Sequence, residues 1–268
     1  MIIFVCQTWA NTIGNHAGMV YLHEKIHELH PQQVRTFVLP DKKNKLAFCY
    51  NWLKVLITLL LKSNKEDILF FTECLSFKKA DQVVTAKIIH RLRPSLKIWG
   101  MVHCIPAILE NLYPRKNYGS ILGPFKCIVT LGSSLTRYFV DNGVEDKKVH
   151  TLFHYVDKDY YKHSTEVVRE ELKDYKLHCI CMGNLGRDYK MLLNIVSALP
   201  EIHFDICKGK KDIDYLFDNH SNVTLHGFMS EDNLKALMEQ NDVSLNIMVD
   251  TIGSNVICTS LAMGLAMV

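Results

Sequence analysis

The sequence predicts an α/β protein with two Rossmann-like domains, because short apolar runs alternate with longer amphipathic stretches along the whole chain. Such alternation is typical of parallel βαβ units. The 268 residues are enough for two hydrophobic cores, and a composition of 48% hydrophobic and 22% charged residues is that of a folded protein. A polar stretch without a strand pattern divides the alternation. It predicts an N-terminal Rossmann-like domain at 1–156, a linker at 157–176 and a second Rossmann-like domain at 177–268.

In the first domain, each strand is predicted from an apolar run and each helix from amphipathic periodicity. The predicted strands are Ile2–Cys6, Val34–Leu39, Asp67–Phe71, Leu96–Val102, Cys127–Thr130 and Val149–Leu152. The predicted helices are Gly18–Leu29, Lys45–Leu61, Lys79–Arg91 and Ser134–Asn142. Gly143 follows the last helix, where glycine is common because it adopts positive φ angles readily. Strands and helices in this order predict one Rossmann-like domain.

The alternation restarts after the linker. The predicted strands are Leu177–Met182, His203–Cys207, Val223–Leu225 and Val243–Ile247, and the predicted helices are Tyr189–Ala198, Asp212–Phe217 and Glu231–Gln240. The last segment, 250–268, predicts a strand end, a turn of small residues, a helix and the start of a strand at Leu265–Val268. A doubly wound domain usually carries further βα units. We therefore expect the second domain to be incomplete, in a protein that is naturally short or in a truncated form of a longer one.

The two halves of the chain differ in charge. Residues 1–155 hold 20 Lys and Arg against 11 Asp and Glu, whereas residues 156–268 hold 11 against 17. A basic first half suits an anionic acceptor or an anionic membrane surface. We do not expect nucleic acid as a partner, because the basic residues are spread out and no known nucleic-acid-binding motif accompanies them.

The longest apolar run, Leu46–Leu61, is interrupted by Asn51 and Lys54 and is shorter than the ~20 residues that span a bilayer. It predicts either a buried helix or an interfacial one. The start of the chain, Met1–Cys6, lacks the basic region of a signal peptide. Nine scattered cysteines, without zinc or redox spacing, suggest buried thiols in a reducing compartment. We expect a cytoplasmic protein, with weak peripheral association on the inner face of the cytoplasmic membrane as a further expectation.

The turn Gly253–Asn255 stands directly before the last predicted helix. Ser254 and Asn255 are residue types that cap helix N-termini. The first amides of a helix lack partners within it, and its dipole favours negative charge, so a phosphate fits this position. A plain cap that binds nothing is the competing interpretation, since serine and asparagine cap many helices.

This terminal stretch and several others resemble glycosyltransferases of the GT-B fold, and family 4 in particular. In that family a small-residue turn opens a helix that ends in Ala-Met-Gly, as at Ala262–Gly264 here, and the segment holds the nucleotide-sugar. The resembling segments are Gly14–Gly18, Val102–Pro106, Thr130–Val140, Met182–Lys190, Cys207–Gly209, His226–Phe228 and Gly253–Val268. The resemblance implies that residues 1–156 form the acceptor-side domain and residues 177–268 the nucleotide-sugar domain, with the donor bound in the crevice between them.

The resemblance also implies roles for individual residues. His103 would be the catalytic-site histidine that faces the sugar, since imidazole can donate to a hydroxyl or accept from one. Arg187 and Lys190 would neutralise the donor diphosphate, the first through a bidentate contact and the second as a point charge. The other residues implied in donor binding are Asn15, Gly183, Gly209, Gly227, Ser254, Asn255 and Thr259.

Structural interpretations compete with these roles. The Gly14–Gly18 loop fits a plain βα turn equally well, and it is not a G-x-G-x-x-G fingerprint. A single histidine among 13 is more often structural than functional. Arg187 and Lys190 also fit a solvated helix start, in which Asp188 would serve the helix dipole.

The chain departs from the family pattern in its last helix. Family 4 enzymes place a glutamate there, and the register set by Ala262–Gly264 puts Thr259 at that position. A threonine can hydrogen-bond a hydroxyl but cannot stabilise positive charge. Asp250 is the acidic residue nearby, although an aspartate at a strand end more often caps its own turn. Ala266 likewise replaces the usual proline.

The sequence thus predicts a glycosyltransferase that moves a sugar from a nucleotide-sugar donor to a saccharide or lipid-linked acceptor in surface polysaccharide biosynthesis. The resemblance implies retention at the anomeric carbon, no metal, and no cofactor beyond the nucleotide-sugar substrate. The second hypothesis is a non-catalytic nucleotide- or sugar-binding protein, or an inactive truncated fragment, which Thr259 favours. A dinucleotide oxidoreductase is disfavoured, because the first βα turn lacks the glycine fingerprint.

Overall fold

The computed structural model describes residues 1–7, 14–39, 45–76, 82–114, 117–164, 176–183 and 186–268. The chain divides into two units, Met1–Phe153 and His154–Val268, and each contains one parallel sheet. Two parallel sheets with helices between their strands confirm the predicted α/β class. None of the helices in the described ranges combines the length and the hydropathy that a membrane span requires.

The first unit is built on six parallel strands. They are β1 (Ile2–Gln7), β2 (Val34–Leu39), β3 (Ile68–Phe71), β4 (Lys97–Val102), β5 (Cys127–Thr130) and β6 (Val149–Thr151), in the order β2-β1-β3-β4-β5-β6. The helices are α1 (Met19–Leu29), α2 (Lys45–Lys62), α3 (Val83–Leu92), α4 (Pro106–Leu112), α5 (Tyr118–Ile121) and α6 (Ser133–Asp141). The inner strands are apolar throughout, because helices cover both faces of a parallel sheet.

Two short helices of this unit, α4 and α5, are absent from the sequence prediction. Helix α4 starts at Pro106, whose fixed φ angle suits the first turn, and α5 spans only four residues. Elements this short carry too little periodicity to be recognised. Helix α3 begins at Val83, whereas the prediction began at Lys79, a residue outside the described ranges.

In its described residues, the second unit has five parallel strands and three α-helices. They are β7 (His178–Cys181), α7 (Tyr189–Ala198), β8 (His203–Gly209), β9 (Val223–Gly227), α8 (Glu231–Glu239), β10 (Val243–Ser244), α9 (Asn255–Ala262) and β11 (Ala266–Met267). The strand order is β11-β10-β7-β8-β9. Buried side chains of β7, β8 and α7, among them Ile206, Phe204 and Val196, form the core.

Two predictions for this unit were wrong in extent. The helix predicted at Asp212–Phe217 is a single 3-10 turn at Asp214–Leu216. Strand β10 ends at Ser244 and does not continue to Ile247. Its continuation is diverted, because the carbonyl of Ile247 accepts from Asp188 of the β7–α7 connection instead of a strand neighbour.

The first residues of the predicted linker pack within the second unit. The hydroxyl of Tyr160 donates to Asp232 and that of Tyr161 donates to Glu231, both at 2.5 Å. These two bonds fasten the chain to the first turn of α8. The part of the predicted linker at 165–175 lies outside the described residues.

Candidate functional site

The predicted donor-binding residues of the second unit lie at one edge of its sheet. Gly183 follows β7, while Gly209 and Gly227 end β8 and β9 and pair with each other across the two strands. The turn that contains Ser254 follows β10 and leads into α9. Because parallel strands share one direction, all of these residues are brought to the carboxyl edge, where α/β sheets bind ligands.

Gly183 and Arg187 are packed against each other at this edge. Gly183 has a φ angle of 83°. A methyl group in place of its hydrogen would lie 2.5 Å from Nη2 of Arg187 and 3.4 Å from Cγ2 of Val256 in the first turn of α9. Position 183 therefore requires glycine twice, for its backbone angle and for the guanidinium that lies over it. The same contacts bring Arg187 beside the positive end of the α9 dipole.

The loop that carries Arg187 is held by backbone hydrogen bonds. Arg187 forms an antiparallel bridge with Met248, and the amide of Val249 donates to the carbonyl of Gly186 at 2.8 Å. The side chain of Arg187 is held as well, since its Nε donates to the carbonyl of Met182 at 2.9 Å. The guanidinium is thus fixed from two sides.

The surroundings of Arg187 suit an anion. The side chain is half-buried, and burial lowers the pKa of its guanidinium, which remains charged because arginine does not lose its proton in proteins. A small, mostly apolar pocket beside it is lined by Met182, Tyr189 and Leu192 among others. The hydroxyl of Tyr189 is buried and has no hydrogen-bond partner among the described residues. A cation with reduced hydration, next to a polar hydroxyl, can bind phosphate oxygens strongly.

Helix α9 places its three predicted residues differently. Ser254 is the N-cap, and its Oγ accepts from the amide of Ile257 at 3.4 Å, while Asn255 is exposed in the first turn. Thr259 is buried, and its hydroxyl lies 2.8 Å from the carbonyl of Asn255 and 3.2 Å from that of Val256. Because this proton is used within the helix, Thr259 can only accept a hydrogen bond from a ligand.

Lys190 is exposed in the first turn of α7, whose N-cap is Asp188. The Asp188 carboxylate accepts from the amide of Met191 at 2.9 Å, as the structural interpretation of this segment expects. That cap leaves the Lys190 ammonium at the surface. It is near in sequence to the fixed Arg187 but is not itself fixed by the described contacts.

In the first unit, His103 lies directly after β4 and hydrogen-bonds a carboxylate. Its Nε2 is 3.2 Å from Oε2 of Glu73, which follows the neighbouring strand β3. The carbonyl and amide of Glu73 both bond to Gln82, and the side chain of Glu73 is largely buried. The sheet thus holds a histidine–glutamate pair at its carboxyl edge.

Electrostatics around His103 favour the imidazolium. Burial by itself lowers the pKa of His103, but the hydrogen bond and negative charge of Glu73 outweigh it and raise the pKa. Burial, assisted by the charge of Glu73, raises the pKa of the nearby Cys6 thiol to about 12. Cys6 is therefore a neutral thiol at neutral pH. Asn15 is half-buried and lies in the described part of the connection from β1 to α1, residues 14–18.

Sequence reasoning missed Glu73. The signal was available in principle, because an acidic residue directly after an apolar strand stands where α/β sheets bind ligands. Its pairing with His103 depends on β3 and β4 being neighbours, which the chain order alone does not specify. Five cysteines are buried as predicted, but Cys49 is exposed on α2.

Comparisons with known proteins establish the fold. Sucrose-phosphate synthase from Thermosynechococcus elongatus matches 99% of this chain and 80% of its own, with a TM-score of 0.70 and 9% identity. HepE from Anabaena, in complex with UDP and glucose, matches 99% of this chain and 79% of its own, with a TM-score of 0.65 and 13% identity. The lipopolysaccharide outer core galactosyltransferase WaaB matches 100% of this chain and 80% of its own, with a TM-score of 0.62 and 10% identity.

These matches confirm the predicted GT-B fold. At such low identity the likeness concerns the fold alone. No protein-family model matches the sequence, and no curated protein sequence does either. Membership of glycosyltransferase family 4 therefore stays a prediction.

Proposed function

We propose that this chain is a glycosyltransferase that binds a nucleotide-sugar through its second unit and transfers the sugar to a saccharide or lipid-linked acceptor. The observation that carries the proposal is the fixed Arg187 guanidinium, packed on Gly183 beside the first turn of α9. The guanidinium of Arg187 and the N-terminus of α9 are both positive and lie at one edge of the sheet. They match a diphosphate better than a neutral ligand. HepE, which shares this fold, is seen with UDP and glucose.

In the proposed mechanism, the second unit stabilises the leaving nucleoside diphosphate. Negative charge builds on the diphosphate as the bond to the sugar breaks, and Arg187, Lys190 and the amides near Ser254 and Asn255 offset it. The backbones of Gly183, Gly209 and Gly227 would hold the nucleotide, and Thr259 would accept from a donor hydroxyl. We further propose transfer with retention and without a metal at the diphosphate, as the resemblance to family 4 implies.

His103 would act on the transferred sugar. With Nε2 engaged by Glu73, the other ring nitrogen, Nδ1, is the one that can contact a sugar hydroxyl. Asn15, in the loop after β1, would contribute to donor binding from the same unit.

The direct test is a donor panel. The purified chain is incubated with UDP-glucose, UDP-galactose, UDP-N-acetylglucosamine and GDP-mannose, with and without saccharide and lipid-linked acceptors, and product is followed by mass spectrometry. We expect acceptor-dependent release of nucleoside diphosphate with one donor. Binding of a donor without any turnover would support the second candidate, a non-catalytic nucleotide-sugar-binding protein. That candidate is favoured by one observation, the absence of Asp and Glu from the α9 sequence, where Thr259 donates to its own helix.

The diphosphate assignment makes a quantitative prediction. Arg187→Ala should weaken UDP or GDP binding by about 1.5 to 3 kcal/mol, the range for hydrogen bonds to charged groups, or roughly 10- to 150-fold. Calorimetry measures the change. Lys176→Ala, which removes an exposed cation before β7 at the opposite edge of the sheet, is the control and should leave affinity unchanged. Thermal melts show whether each variant is folded. Equal affinity of wild type and folded Arg187→Ala for every nucleotide that binds would remove Arg187 from the site.

The proposal includes peripheral association with anionic lipid, and α2 supplies its support. Trp52 bonds Thr85 of α3 at 2.7 Å, and Leu56 and Leu59 are buried, so this face of α2 belongs to the core. The opposite face forms an exposed apolar stripe. Its members, at helical spacing, are Leu46, Tyr50, Leu53, Ile57 and Leu61.

The positive charge beside this stripe favours anionic lipid. Helix α2 contains Lys45, Lys54 and Lys62 but no acidic residue, and Lys65 follows it. Lys42 and Lys43, which the sequence also places here, lie outside the described residues. Each basic residue near an anionic bilayer contributes about 1 kcal/mol at low salt.

Vesicle sedimentation tests the association. We expect the chain to bind phosphatidylglycerol vesicles and not phosphatidylcholine vesicles at low salt, and to be released as salt shortens the Debye length. Leu53→Glu/Ile57→Glu should abolish binding, because it places two carboxylates on the stripe. Val84→Glu, an exposed apolar position on α3, is the control and should bind as wild type does. Equal sedimentation with both lipids would contradict the assignment.

A further inference from the structure

A cluster of metal-ligating side chains lies in the second unit, on β7 and β8. His178 begins β7, His203 begins β8, and the strand register pairs them. Their rings are 5.0 Å apart between centroids, at an angle of 43°. Asp205 is two residues beyond His203 and therefore on the same face of the sheet. One ligand atom from each of these three residues lies within 4.8 Å of the others.

Neighbouring side chains orient the carboxylate of Asp205. Its Oδ1 is 2.7 Å from Nε2 of His226 on β9, and its Oδ2 accepts from Nδ2 of the fully buried Asn241 at 3.1 Å. Supporting hydrogen bonds of this kind are typical around metal ligands, because they fix the ligand's direction and raise its basicity. Asp205 is largely buried, whereas the side chain of His203 is 27% exposed. An ion can therefore reach the cluster from the side of His203.

We propose that His178, His203 and Asp205 bind one zinc ion. Two imidazoles and one carboxylate form a ligand set that suits zinc, with water in the fourth position. Ligand atoms around a tetrahedral zinc are about 3.4 Å apart, given bond lengths near 2.1 Å. Binding would therefore draw the three ligand atoms together by at most about 1.4 Å from spacings of up to 4.8 Å, which side-chain rotation can supply.

The position of the cluster places the proposed ion away from the proposed transfer site. The histidines stand at the first residues of β7 and β8, at the amino-terminal edge of the sheet. The proposed diphosphate site is at the carboxyl edge, which is where α/β sheets bind substrates. The ion would join two neighbouring strands and take no part in sugar transfer, so it is separate from the metal-free chemistry proposed above.

This site was not predicted from the sequence, because its two histidines are not at a metal-binding spacing. His178 and His203 are 25 positions apart, and only strand pairing brings them together. Without a metal the same residues form a hydrogen-bond network, in which Nε2 of His203 contacts Oγ1 of Thr224 at 3.0 Å. The experiment decides between these two states.

Calorimetry with zinc chloride, on chain stripped of metal by chelator and dialysis, is the first test. We expect one equivalent to bind tightly and the melting temperature to rise. His178→Ala and His203→Ala should each weaken this binding at least tenfold, since loss of a supporting residue alone costs 10- to 100-fold. Two controls, His150→Ala on β6 and Asp218→Asn near the 3-10 turn, remove exposed potential ligands elsewhere and should have no effect.

Cobalt substitution is the second test, and it uses the wild-type chain, so it does not depend on a variant folding. We expect a tetrahedral spectrum without thiolate charge-transfer bands, as nitrogen and oxygen ligands give. Thiolate bands would place the metal on cysteine and overturn the proposal. So would unchanged zinc affinity in both folded histidine variants, or no tight equivalent at all. UDP titration of the metal-free chain keeps the two proposals apart, because nucleotide binding should persist when the zinc site is empty.

Discussion

His103→Ala will lower the turnover number for sugar transfer by about 100-fold or more, within the range for loss of a positioned proton-transfer group. Its affinity for nucleoside diphosphate should stay nearly unchanged, because the proposed diphosphate contacts belong to the second unit. Steady-state kinetics with the donor identified by the panel, together with UDP calorimetry, measure both quantities. His150→Ala, an exposed histidine on β6, is the control and should be as active as wild type. Parallel loss of turnover and nucleotide affinity would make His103 a structural residue.

Glu73→Gln separates positioning from catalysis at the same edge. The amide keeps a hydrogen bond to His103 but removes the negative charge that raises the pKa of the histidine. The limb of the pH–rate profile that belongs to His103 should therefore move to lower pH, while the KM for the donor stays nearly constant. An unshifted profile would show that Glu73 does not act through His103.

The first unit will lose about 3 kcal/mol of stability between pH 6.5 and 4 through one residue, His23. This side chain of α1 is 1% exposed and stacks on Phe4 at 4.1 Å between ring centroids. Burial lowers its pKa from 6.5 to about 4. Between these values the unfolded chain binds the proton and the folded chain does not, so stability is full above pH 6.5 and falls on acidification. The size follows from 1.36 kcal/mol for each unit of pKa.

Urea unfolding at a series of pH values, followed by Trp fluorescence, measures this loss. His23→Phe keeps the stack on Phe4 but cannot take a proton, so its stability should depend less on pH across this window. His30→Phe replaces an exposed histidine of the same region and should retain the wild-type dependence. The difference between the variant and the wild-type curves gives the contribution of His23 alone to the pH dependence of stability. The raised pKa of His103 changes stability with pH in the opposite direction and is present in both proteins. A His23→Phe curve parallel to that of wild type would refute the prediction.

The parts of the fold that the sequence predicted are those with strong local signals. Strands β2 and β5 have the predicted bounds, and a polar residue precedes each of them, Gln33 before β2 and Lys126 before β5. Helix α7 has the predicted bounds as well, since Asp188 caps it and its apolar period is regular. The predicted end of β10 was wrong, because the residues after Ser244 bond to the β7–α7 connection and not to a strand. This contact joins segments about 60 residues apart.

The candidate sites show the same division between local and distant information. Gly183 and Arg187 were predicted together because one segment carries both. Glu73 and the His178–His203 pair were missed, because each becomes meaningful only when strand order places two separate segments side by side. Periodicity reports which face of an element is buried, but it does not report the neighbour of a strand.

The antiparallel bridge between Arg187 and Met248 has a consequence for binding entropy. Ordering one residue of a flexible loop costs about 1 to 2 kcal/mol of conformational free energy. In a loop that orders only around its ligand, this cost is subtracted from the affinity. Here the segment from Gly186 to Asp188 is ordered when the second unit folds. The conformational free energy of ordering it therefore lowers the stability of the fold and not the affinity for a ligand. Under the proposed function, a diphosphate would meet a guanidinium already in place, and no cost of ordering this loop would be subtracted from its affinity.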